Sequence, residues 1–158
     1  MTAQMLQDAL LKEVAEIVKD VISKDTSGKE VSGATGYPQA LPVVQADEGD
    51  ESQFFPYFIV KLSGGSTDDD DSPWDDTVNI LFGIYDNDTK NEGNKTVMVM
   101  IQRVIDRFAS EPRLGKVFRA QQDMQWATQD EDTYPFFFGG VQIKFYVPKI
   151  GRKEPIYD

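Results

Sequence analysis

The chain contains no cysteine and no histidine. The first absence removes thiolate nucleophiles, disulfides and thiolate metal sites. The second removes imidazole bases and the commonest transition-metal ligand. Long apolar runs are also missing: no stretch approaches the roughly 18 consecutive apolar residues of a membrane-spanning helix. The opening residues, MTAQMLQDALLKEVAEIV, lack a basic region followed by an apolar run, so no secretory leader is expected. Positive charge is scarce, with 16 bases against 27 acids and a net charge of −11. Such a chain is repelled by nucleic acid and by anionic lipid. That charge can serve solubility alone, or an acidic surface that faces nucleic acid without holding it.

With 158 residues, 40% hydrophobic and 11% aromatic, there is material for one well-filled domain. A domain of this size buries about 70% of its unfolded surface and needs no staple. The expected organisation is one domain over residues 1–148 and a polar arm over 149–158 that carries Lys149, Arg152 and Lys153.

Residues 3–23 read as an amphipathic helix, with Leu6, Leu10, Val14, Ile17 and Val21 at spacings of three and four and Thr2 as N-cap. Gly33, Gly36, Pro38 and Pro42 break up the following segment, leaving Ala40–Gln45 as a short edge strand. Residues 54–62 read as a strand with Phe58, Val60 and Leu62 on one face and Tyr57, Ile59 and Lys61 on the other. A polar connection over 63–76 leads to a second strand, 77–85, in which Val78, Ile80, Phe82 and Ile84 alternate with polar or smaller neighbours. The two are expected to pair as an antiparallel hairpin. A second helix is predicted over 95–109, with a stripe of Val97, Ile101, Val104, Ile105 and Phe108 and a stop at Pro112. Further strands follow at 117–127 and 138–147. This order predicts an α+β fold: a single mixed, mainly antiparallel sheet with two helices packed on one face.

Residues that could carry chemistry are few. Asp68, Asp69, Asp70 and Asp71, with Asp75 and Asp76, suggest a hard-cation site, but consecutive aspartates cannot all face one ion without a special backbone path. Asp86–Gly93 lacks the glycine and glutamate of a calcium loop and reads as a turn. Asp130, Glu131 and Asp132 beside Trp126 and Tyr134 resemble a carbohydrate site in composition, but three adjacent acids before a strand read as a solvated turn. No phosphate-binding glycine loop and no Gly-x-Ser-x-Gly elbow is present. The expectation is a protein without catalytic apparatus, cofactor or metal.

Aromatic residues are more plentiful than one core can absorb. Phe54, Phe55, Trp126, Tyr134, Phe136 and Phe138 are therefore candidates for contact with another chain. Gly139-Gly140 marks a bulge or a close backbone approach.

Four segments together resemble the tail terminator, or tail completion, proteins of long-tailed bacteriophages and prophages of Gram-positive bacteria. They are Phe55-Pro56-Tyr57-Phe58-Ile59-Val60, then Gly83-Ile84-Tyr85-Asp86, then Arg107-Phe108 with Pro112-x-Leu114-Gly115, and last Trp126 with Gln129-Asp130-Glu131-Asp132-x-Tyr134-Pro135 and Phe138-Gly139. They span residues 54–148, about 60% of the chain. The resemblance implies an α+β subunit of a ring, usually a hexamer, that caps the tail tube, ends its polymerisation and docks the head connector or head-closure protein. It implies DNA passing through the lumen without specific binding. It also implies residence in the bacterial host cytoplasm during assembly and then in the virion neck, away from membranes. On this reading Asp68–Asp71 and Asp130–Asp132 are lumen or docking acids. Three alternatives stand beside it: another neck or minor tail component such as a head-closure protein, an acidic inhibitor that mimics DNA, and an enzyme that uses carboxylates alone.

Overall fold

A computed structural model describes residues 2–150. Two helices, α1 (Ala3–Ile17) and α2 (Asn94–Ser110), lie against an eight-stranded sheet. The strands are β1 (Ile22–Lys24), β2 (Glu30–Ser32), β3 (Thr35–Pro38), β4 (Tyr57–Ser66), β5 (Trp74–Tyr85), β6 (Arg113–Leu114), β7 (Phe118–Thr128) and β8 (Phe136–Val147). Every pairing is antiparallel except β3 with β4, so the expected α+β fold with a mixed, mainly antiparallel sheet is present.

β5 is the central strand, with β8 along one side and β4 and β1 along the other. Its even-numbered residues Val78, Ile80, Phe82 and Ile84 are buried and lie opposite Phe58 and Val60 of β4 and Phe137, Val141 and Ile143 of β8. Leu6, Leu10 and Val14 of α1 and Val97, Ile101, Val104 and Phe108 of α2 complete this core from above. Apolar burial of this kind stabilises by about 25 cal/mol per Å², so the shared face is the main cohesive layer. Gly139 is where α2 presses closest: a Cβ there would collide with Val97. Pairing of β8 with β5 runs unbroken through both glycines, so the pair serves close approach and not a bulge.

Three boundaries differ from expectation. α1 ends at Ile17, not residue 23. Val18 N–H closes on Val14 O, Arg103 Nη1 takes Ile17 O at 3.3 Å, and the Ser32 hydroxyl bonds Lys19 O at 2.5 Å. Val21 keeps its place in the core from a turn, so its spacing mimicked another helical step. The expected strand at 40–45 is absent; the strand is Thr35–Pro38, parallel to β4. Gly36 looked like a breaker, yet it lets β3 lie against the Phe58 ring, where any Cβ would clash. The polar stretches 63–66 and 74–76 are paired strand, with a register shift between Leu62 and Gly64, and only 67–73 remains as connection. Of the arm expected over 149–158, residues 151–158 lie outside the described residues. Lys149 Nζ reaches back to Thr67 Oγ1 at 2.6 Å and to the Asp69 carbonyl.

Candidate functional site: an open sheet face and an unpaired edge

Alternation along β5 sends Asn79, Leu81 and Tyr85 to the face opposite the helices. At one end of that face Phe55, Tyr57 and Ile59 are buried as a second apolar cluster, with Tyr37, Phe54, Tyr85, Phe136 and Phe138 packed around it. The Phe55 ring lies 4.8 Å from Phe136 and 5.8 Å from Phe138, and Tyr85 lies 5.6 Å from Phe136. Just before β4, Phe54 packs on this cluster with its ring 5.6 Å from Tyr37, and the Phe55-Pro56 bond is cis. The middle of the face is bare. A groove of about 450 Å³ opens there, lined by Tyr57, Ile59, Leu81 and Phe138 among others.

The groove runs to β7, an edge strand. β8 pairs along one side of β7 as far as Thr128. On the other side β6 reaches only Phe118 and Arg119, and Ala120 N–H goes to Pro112 O at 2.7 Å. From Gln121 to Thr128 no strand among the described residues pairs with that outer side. The segment QQDMQWAT has no proline and one charge, Asp123, which pairs with Lys144 at 3.5 Å. Natural edges are often blunted by lysine, proline, brevity or a bulge; this one has no lysine or proline, and its register with β8 shifts only at its start, between Ala120 and Met124. Trp126 stands on it, 56% exposed.

The six aromatics proposed from sequence therefore divide. Phe54, Phe136 and Phe138 are half-buried around the second cluster, and Phe55 at 7% exposure is already used inside the chain. Tyr134 is 40% exposed, and its hydroxyl donates to Asn87 O at 2.5 Å, tying the 129–135 turn to the 86–93 turn. Trp126 is the one left on an unpaired edge. Sequence reasoning named no role for Leu81 or for the edge itself. The signal for Leu81 was a leucine at an outward position of the central strand.

The acids do not gather. Asp68–Asp71 sit in the β4–β5 connection, where Asp69 Oδ1 accepts from Asp71 N and Ser72 N and its pKa is lowered, chiefly by its bonds to Ser72. Asp130–Asp132 sit between β7 and β8, with Asp132 accepting from Tyr134 N at 3.1 Å and contacting Asn91. These loops flank opposite ends of β5, whose 12 residues separate them by roughly 35 Å. Asp69 and Asp132 thus brace their own turns, and among the described residues no three carboxylates meet where they could hold a metal ion.

The fold is an α+β domain whose β7 edge is unpaired from Gln121 to Thr128 among the described residues. No family model matches it. Over 60 residues, 38% of the chain, it is 37% identical to ATP synthase subunit alpha of Alcanivorax borkumensis and of Cupriavidus metallidurans. A protein of Legionella pneumophila named ATP synthase subunit alpha 2 is 38% identical over the same length. The chain spans 11–12% of the length of these relatives, a local likeness.

Proposed function

We propose that this protein is a structural assembly subunit that closes into a ring through its β7 edge and the adjoining open face, in the manner of a bacteriophage tail terminator. The observation that carries the reading is the unpaired edge Gln121–Thr128, which bears the exposed Trp126 on its helix-side face and borders an apolar groove on the other face. An edge of this kind pairs with another strand by main-chain hydrogen bonds, while side chains on alternate positions set register. A contact between one edge and a different patch on the next copy is heterologous, and it yields a ring when the rotation closes. The order of motifs from Phe55 to Gly139 supports the tail-terminator form of that ring. A net charge of −11 suits a lumen that must pass DNA without retaining it. The ring would act at the head-proximal end of the tail tube, with the tube protein below and the head connector above.

The test is functional. Added to elongating tail tubes of the cognate phage, the protein should cap them and shorten their length distribution. Tubes that elongate unchanged, with no protein at their ends in electron micrographs, would rule out the terminator role.

A further inference from the structure

The helix-bearing face of the sheet runs on past the first turn of α1. There Trp74 and Asp76 of β5 stand opposite Val147 and Phe145 of β8. A pocket of about 520 Å³ opens beside them, lined by Thr2, Leu62, Gly65, Trp74, Asp76 and Val147 among others. Asp76 is 7% exposed. Its carboxylate has no hydrogen-bond or ion-pair partner among the described residues. Its Oδ1 leans over Gly65, the residue opposite it on β4, where any Cβ would collide with it. Burying a carboxylate without a partner is costly, and burial, with Asp75 next to it, raises its pKa.

Nearby cations are committed elsewhere: Lys149 to Thr67 and Asp69, and Lys144 to Asp123. A hard metal ion would want several charged oxygens, and this pocket offers one carboxylate. Its lining sets Leu62, Val147 and Trp74, a residue 40% exposed, beside polar Thr2 and Ser63 and the Asp76 carboxylate. Guanidinium suits that set, because it stacks on aromatic rings, pairs with carboxylate and is weakly hydrated.

We propose that this pocket receives an arginine side chain from a neighbouring protein chain, its stem against Leu62 and Val147 and its guanidinium between Trp74 and the Asp76 carboxylate. The surrounding acidity favours such a partner over an acidic one. The pocket's lining includes no residue of β7, so its test does not depend on ring formation.

The experiment titrates the full chain with N-acetyl-arginine amide at pH 7 and follows the Trp74 indole and Gly65 amide signals by NMR. Saturable shifts are expected. N-acetyl-citrulline amide, the neutral isostere, should bind at least about tenfold more weakly, as should the arginine probe to Asp76→Asn. Trp74→Leu, which keeps the carboxylate, should also weaken binding, and it serves as the readout if Asp76→Asn does not fold. Equal binding of citrulline, unchanged binding in both variants, or shifts reproduced by potassium chloride at equal ionic strength would overturn the proposal. Tighter binding of putrescine than of the arginine probe would assign the pocket to free amines and overturn the protein partner.

Discussion

Asp76 and Glu111 are perturbed in opposite directions, and the difference is environment. Burial raises the Asp76 pKa above its ordinary 3.8. A carboxyl that holds its proton more tightly when folded contributes most stability below 3.8 and loses it as pH rises through the raised value. Asp76→Asn should therefore melt higher than wild type at pH 7, and the gap should close as pH falls toward 3.8; thermal melts across pH read this directly. Glu111 lies in the exposed turn after α2, where side-chain and backbone bonds from Arg113 lower its pKa from 4.5 to about 2. Its contribution is present above 4.5 and is lost as pH falls through about 2. Carboxyl NMR should place Glu111 near 2, and Arg113→Gln should return it toward 4.5. Neither residue stood out in the sequence. Asp76 looked like one more member of an acidic run, because exposure is decided by strand register and not by neighbours along the chain.

Between elements, Arg107 is the joint. From α2 its Nε bonds Glu13 of α1 at 2.6 Å, its Nη1 takes the Glu111 carbonyl, and its Nη2 takes Arg113 O at 3.0 Å. The guanidinium also lies 4.8 Å from the Phe108 ring centroid. Arg107→Ala should cost roughly 1–3 kcal/mol in chemical denaturation, because it leaves partly buried acceptors without a donor. A comparable device fixes the β4 edge beyond Pro38. Gln39 Nε2 donates to Leu62 O at 3.0 Å and its Oε1 accepts from Leu62 N at 2.9 Å, while Gln7 of α1 bonds both Gln39 and Val60. Element type was legible wherever apolar periodicity ran long, as in α2, β5 and β8. It failed where glycine had a packing role, at Gly36, and where a polar strand carried no alternation, at 63–66. The aromatic surplus was legible too, but not its division. Phe55 and Trp126 are alike in the sequence, and only their places in the sheet separate them: Phe55 in the second cluster, Trp126 on the edge strand.

At the scale of the whole molecule, the charge of −11 acts on every copy alike. Copies approaching one another repel, and added salt screens that repulsion within a Debye length of about 8 Å at physiological strength. Self-association should therefore strengthen between low and moderate salt, the opposite of what basic nucleic-acid binders show; sedimentation velocity at fixed protein concentration checks it. The central claim is that the β7 edge joins copies into a closed assembly. Light scattering across protein concentration, comparing wild type with Trp126→Lys, tests it most directly. Wild type should form a discrete species of about six subunits, reduced toward monomer by a lysine on the edge strand. A wild-type monomer at every concentration, or an assembly that Trp126→Lys leaves intact, would contradict it.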